Sequence, residues 1–229
     1  METNYIEFYS QNLSRPMPIK VWGHAGKPVL FIPCQDGRFF DFENFGLIDD
    51  FAPWIEEGRC MVFGIDTIDV ETWSDKAGDP YWRIRRHEQW IDYITREVVP
   101  FVREYANAKN GWEGFPGLMT FGCSMGATHS LNLYLRFPDL FDRCMALSGI
   151  YNASFFLGDY MDWWSTATRP PTIWPTSPWS TPSSRSTTAT RRWCAWASAP
   201  GRSPGAPSSW TNSSMIWAST SGWITGDTT

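Results

Sequence analysis

Over the first 162 residues, short apolar runs alternate with longer stretches whose apolar side chains return every three or four positions. Ile19-Lys20-Val21-Trp22 and Pro28-Val29-Leu30-Phe31-Ile32-Pro33 read as strands, separated by a turn carrying Gly23 and Gly26. From 43 to 57, Phe45, Ile48, Phe51, Ala52 and Ile55 recur at helical spacing, and Gly58 stops the run. Residues 60–66 form a third strand, apolar on both faces as a central parallel strand would be. A polar, aromatic-rich loop over 67–82 precedes a long helix at about 84–105. Its stripe is Trp90, Ile91, Ile94, Val98, Phe101 and Val102, and Pro100 should kink or split it. Residues 117–121 are a fourth strand, 126–137 a helix that follows it at once, and 144–149 a fifth strand. This alternation predicts an α/β fold: a mostly parallel sheet flanked by helices.

Composition then divides the chain. Its 229 residues carry a formal net charge of −5 and are 42% hydrophobic, which suits a soluble globular domain. Residues 1–162 hold 14 basic and 23 acidic side chains; residues 163–229 hold five arginines and a single acid, Asp227. That tail contains 14 Ser, 13 Thr, 8 Pro and 9 of the 15 Trp, but no Leu, Val, Phe, Tyr or Glu. It shows no strand or helix period, and its tryptophans do not suit a disordered linker. The expected organisation is a core over 1–162 and an aberrant Ser/Thr/Pro/Trp-rich segment, frame-shifted or disordered, over 163–229. No run reaches the roughly 18 apolar residues of a membrane span, and the start lacks a signal-peptide pattern. Five cysteines (34, 60, 123, 144, 194) read as reduced thiols, so a cytoplasmic location is expected. An acidic chain without a Lys/Arg run predicts neither nucleic-acid nor membrane partners.

Gly122-Cys123-Ser124-Met125-Gly126 stands between the fourth strand and its helix, and it is a G-x-S-x-G. The chain must reverse there so sharply that Ser124 takes a strained conformation with its hydroxyl held out at the strand's carboxyl end. The glycines leave room for strand and helix to approach. The amide of Met125 lies at a helix N-terminus, where an oxyanion is favoured. Cys123 reads as a small buried residue, since nothing nearby would lower its pKa. The alternative is a small-residue turn with no chemistry.

Around this motif the chain resembles the putative-esterase family of α/β-hydrolases, which includes esterase D-like and feruloyl-esterase-like enzymes. The matching residues are Gly122 to Ala127 with His129, Phe137-Pro138-Asp139-Leu140-Phe141, Ala146-Leu147-Ser148-Gly149, Gly37-Arg38-Phe39-Phe40 and Arg85-Arg86-His87-Glu88. The resemblance covers about 1–162. It implies an α/β-hydrolase fold, an acyl-serine on Ser124, and a small-molecule ester as substrate, with no cofactor. It also implies a triad in the order serine, acid, histidine, and a second oxyanion N–H from Cys34-Gln35-Asp36-Gly37, where Gln35 is our choice.

The chain departs from that family after Ser124. The only later histidine is His129, and the acids after residue 150 are Asp159, Asp162 and Asp227. Without a base, a serine hydroxyl is a weak nucleophile. His129 reads either as a helix-packing, hydrogen-bonding residue or as a substitute base. His87 reads as a surface or interhelix polar residue, or as a substrate contact. Asp66 reads as a turn or capping acid, or as a working residue at the sheet's carboxyl edge. Trp73, Tyr81 and Trp82 wall a pocket or form a satellite core. No spacing suggests a metal. The leading expectation is a serine carboxylic-ester hydrolase. Its rivals are an acyltransferase of the same fold, which passes the acyl group to an alcohol, and an impaired hydrolase-like protein lacking its partners.

Codons chosen from those permitted for 164–182, 193–204 and 217–228, read two bases on, allow strings with strand patterns, acids and aromatics that resemble the family's C-terminal third. We therefore read the segment from about 163 as translated in a shifted frame. Sequencing the coding DNA tests this. The expected result is a displaced frame continuing as the family's C-terminal third; an uninterrupted homologous gene in the frame as written overturns it.

Overall fold

The fold is described from a computed structural model over residues 1–151, 154–160, 215–219 and 222–226. Its centre is a pair of strands buried at every position except Lys27, which opens the first of them. These are β3 (Lys27–Ile32) and β4 (Cys60–Ile65), paired in parallel from Lys27↔Cys60 to Phe31↔Gly64. Successive side chains of a strand point to opposite faces, so such strands need cover on both sides. Val29, Phe31 and Val62 pack on one face with Phe42, Ile55 and Phe121. Leu30, Ile32, Met61, Phe63 and Ile65 pack on the other with Trp90, Ile94, Val98, Val102 and Leu131.

The helices α1 (Asp41–Asn44) and α2 (Leu47–Glu56) supply the first cover. The second comes from α3 (Pro80–Tyr93), α4 (Val99–Asn110) and α5 (Met125–Arg136). The long helix begins at Pro80, inside the stretch expected as loop. Asp79 caps it by accepting from the Tyr81 amide at 2.8 Å, with proline in the first turn. A π-helical turn, Ile94–Val98, joins α3 to α4 just ahead of Pro100. This is how the chain accommodates a proline that lacks an N–H and crowds the preceding turn. The helix expected over 43–57 is two pieces, broken where Gly46 takes a φ of 72°.

The sheet runs in the order β1-β2-β4-β3-β5-β6-β7-β8, with β1 Thr3–Ser10, β2 Arg15–Trp22, β5 Leu118–Cys123, β6 Phe141–Leu147, β7 Met215–Ser219 and β8 Gly222–Gly226. Only the central β4-β3-β5-β6 block is parallel; both flanks are antiparallel, so the sheet is mixed. The turn at Gly23 and Gly26 does not make a hairpin, because β4 inserts between β2 and β3. β1 was not expected from periodicity. The tail, where no strand period is visible, contributes β7 and β8, each only five residues with one Trp and one Ile. The rest of the 163–229 expectation lies outside the described residues.

Lys27 ties the amino ends of three central strands together. Its Nζ donates to both Asp142 carboxylate oxygens (2.8 and 2.7 Å) and to the Pro116 and Gly117 carbonyls, each at 3.0 Å. Burial pulls the Lys27 amine's pKa down, against the hold of Asp142. Lys27→Met leaves these acceptors without their donor, and urea unfolding should show a loss of about 1–3 kcal/mol.

Candidate active site

Ser124 is the single residue between β5 and α5, and its backbone stands at φ 54°, ψ −120°. A non-glycine residue there carries roughly 1–3 kcal/mol of strain. The surroundings impose it. The Ser124 amide donates to the Leu147 carbonyl at the end of β6 (2.9 Å). Its carbonyl accepts from the Ala127 and Thr128 amides at 3.1 and 3.2 Å, which starts the helix. Both flanking glycines are sterically required. A Cβ at 122 would lie 2.4 Å from the Gly126 carbonyl, and one at 126 would lie 2.1 Å from the Ile32 oxygen. Ser124 is half-buried. Met125 opens α5, so its N–H is among those with no intrahelical acceptor. Its side chain packs with Trp73, Ile84, Phe156 and Leu157.

The contact of Gly126 with Ile32 and Pro33 brings the loop after β3 beside the β5–α5 junction. That loop is Cys34-Gln35-Asp36-Gly37, and Asp36 adopts a φ of 59°. The Gly37 amide donates to the Cys34 carbonyl (2.9 Å) and the Asp36 amide faces Asp69 Oδ2 at 3.4 Å. Among the described residues, no hydrogen bond engages the Cys34 or Gln35 amide. The Gln35 side chain turns outward, donating to Ser74 Oγ at 2.8 Å, and Ser74 Oγ donates to Asp36 Oδ1 at 2.6 Å.

Asp66 clamps the next residues, accepting from the Phe39 amide (2.8 Å) and from Arg38 Nε (3.1 Å). Burial raises its pKa. Its place here is that of a loop-clamping acid. Cys123 is half-buried and burial pushes its thiol up, as it does that of Cys34, so neither is a ready thiolate.

His129 lies on the inner face of α5 with a relative exposure of 1%. Its Nε2 stands 3.0 Å from Oδ1 of Asp69, itself 2% exposed. A nitrogen facing a carboxylate carries the proton, so His129 is an Nε2–H donor to Asp69. Among the described residues, its hydrogen-bond partner is Asp69, and no side chain bonds the Ser124 hydroxyl.

His87 is also buried, which rules out the surface half of its reading and fits the interhelix half. It sits between α3 and α5, its ring stacked on His129 with centroids 5.4 Å apart. Its Nδ1 accepts from Trp73 Nε1 at 3.1 Å. An indole only donates, so His87 carries its proton on Nε2. Trp73 belongs to a satellite core with Phe156, whereas Tyr81 and Trp82 stand exposed in the first turn of α3, not in a loop.

The structure thus gathers Ser124, Met125 and the Gln35 loop at the carboxyl edge of the sheet. Of the acids after residue 150, Asp159 lies among the described residues and Asp162 and Asp227 fall outside them; the sequence holds no histidine after His129. Sequence reasoning missed Asp69 and Ser74. The signal was positional: both follow the carboxyl end of β4, where Asp66 alone had been weighed. No group of three or more metal-ligating side chains occurs among the described residues. No described helix is long and apolar enough to cross a membrane.

The family model described as Putative esterase matches residues 10–220. In structure the chain is similar to an S-formylglutathione hydrolase from Staphylococcus aureus, at 15% identity and a TM-score of 0.50, covering 75% of this chain and 69% of that one. A second S-formylglutathione hydrolase, from Agrobacterium tumefaciens, aligns at 18% identity and a TM-score of 0.51, over 66% of this chain and 59% of that one. A ferulic acid esterase aligns at 14% and 0.50, over 66% and 60%. This chain therefore spans less than two thirds of the second and third of these. The likeness establishes the α/β-hydrolase fold. No curated protein matches the chain in sequence.

Burial holds the His87 pKa well below its ordinary 6.5, with His129 and Arg136 pushing the same way. The unfolded chain therefore binds a proton below pH 6.5 that the folded chain refuses, and stability falls on acidification from there. Urea unfolding between pH 8 and 5 should show this as a decline of up to about 1.4 kcal/mol per pH unit, absent in His87→Phe.

Proposed function

The chain belongs to the putative esterase family, and on that premise we propose that it is a carboxylic-ester hydrolase working through an acyl-serine on Ser124. The observation that carries the reading is the strained Ser124 at the β5–α5 junction, because relaxed turns do not hold a non-glycine residue at φ 54°, ψ −120°. Ser124 Oγ attacks the ester carbonyl, and the proton leaves to a base. The oxygen of the tetrahedral intermediate is met by the Met125 N–H and by an N–H of the loop after β3, for which Gln35 is the choice. The alcohol departs and water releases the acid. Each oxyanion donor is worth about 10²–10³ in rate.

The base and acid belong to the segment after Ser124 in the family's order. In the sequence as written, His129 is the sole histidine there, and its Nε2 is held by Asp69. That favours a second reading, in which Ser124 acylates but turns over poorly. An acyltransferase would show the same acyl-serine and differ only in its acceptor. The described cysteines are free thiols, which suits the cytoplasm, and a small-molecule ester is the substrate this reading implies.

Time-resolved release of p-nitrophenol from p-nitrophenyl acetate, together with labelling by a fluorophosphonate probe, tests the reading in the chain and in Ser124→Ala. Steady turnover lost in the variant supports the hydrolase. A single stoichiometric burst supports the impaired form. Equal behaviour of the two proteins overturns Ser124 as a nucleophile.

A further inference from the structure

We propose that Asp69, locked in place by His129, is the positioning residue of the loop that supplies the second oxyanion donor. The inference deepens the acyl-serine reading and rests on it.

The carboxylate of Asp69 divides its two oxygens between two distant parts of the chain. Oδ1 accepts from His129 Nε2 at 3.0 Å, and Oδ2 faces the Asp36 amide at 3.4 Å. The Asp69 carbonyl accepts from the Thr72 and Ser74 amides at 2.9 and 2.8 Å, so its backbone is fixed as well. Ser74 then returns to the same loop, donating to Asp36 and accepting from Gln35. Asp36 stands at φ 59°, a conformation uncommon for a non-glycine residue, and its amide's contact with Asp69 helps hold it there. Committing the Asp36 N–H to Asp69 sets the plane of the Gln35–Asp36 peptide and therefore the course of the loop beside Ser124. A loop without this anchor would relax, and the oxyanion donor would move with it.

His129 acts at one remove. The rings of His87, Trp90 and Trp73 enclose it, with centroids 5.4, 4.8 and 6.2 Å away. Its Nε2–H prevents the Asp69 carboxyl from rotating, and it needs only a donor at that point. This separates the assignment from one in which His129 is the base, because glutamine supplies an N–H but cannot take a proton.

The test measures the rate constant of the p-nitrophenol burst and the substrate concentration that half-saturates it. The variants are Asp69→Ala, Ser74→Ala, His129→Leu and His129→Gln, with Ser124→Ala as control. Asp69→Ala and His129→Leu should slow the burst about 10–100-fold, with half-saturation unchanged, as for a displaced oxyanion donor. His129→Gln should restore the rate to within about threefold of the parent, as a donor is all that is needed. Ser74→Ala lies outside the buried pair and keeps the test decisive if Asp69→Ala does not fold; it should slow the burst several-fold at an unchanged melting temperature. His129→Gln as slow as His129→Leu overturns the proposal in favour of a base. Parent rates in Ser74→Ala together with His129→Leu or Asp69→Ala overturn it outright. A parent burst no larger than that of Ser124→Ala overturns the acyl-serine reading beneath it and this proposal too.

Discussion

The first turn of α5 approaches β3 so closely that the Ile32 and Pro33 carbonyls occupy the space a side chain at 126 would need. Most of the local architecture depends on that approach. It forces glycine at 126, and the return of the helix over β5 forces glycine at 122. With both flanks fixed, the one residue between strand and helix has no relaxed conformation available, and Ser124 carries the strain. The same approach places the loop after β3 next to the helix N-terminus, where amide groups lack acceptors. A serine hydroxyl and a set of backbone N–H donors are thereby brought together by packing alone.

Behind this edge lies a polar cluster in an otherwise apolar core. Asp69 and His129 are both nearly inaccessible, and a buried ionised carboxylate is costly unless its oxygens are hydrogen-bonded. Here the two oxygens face separate donors. The neighbouring His87 is kept neutral by the same burial, its Nδ1 turned to the Trp73 indole. Apolar residues could fill this volume at less cost, but they would not fix the loop that carries Asp36. The cluster exchanges packing simplicity for a defined backbone position.

What was legible in the sequence was what local chemistry determines. β4 is apolar on both faces and could be placed at the centre of the sheet; the sharp turn at Ser124 could be read because its glycines and serine lie within five residues. β1 escaped notice because its period is masked by aromatics on both faces. Ile6 and Phe8 pack on the core while Tyr5 and Tyr9 stay exposed. The start of α3 was hidden for a similar reason: Tyr81 and Trp82 resemble pocket-lining residues, although Asp79-Pro80 is a capping signal. The insertion of β4 between β2 and β3 is a tertiary choice that no local pattern records. At the site, Ser124 was visible, whereas the partnership of Asp69 with His129 joins residues 60 positions apart.

That separation bears on how the chain is made. Asp36 is 33 residues from Asp69, and Asp69 is a further 60 from His129. During synthesis the loop after β3 leaves the ribosome long before the helix that braces its anchor, and the entropy of closing such spans delays contacts of this kind. The surface that would meet a substrate can therefore be fixed only once α5 has emerged and docked.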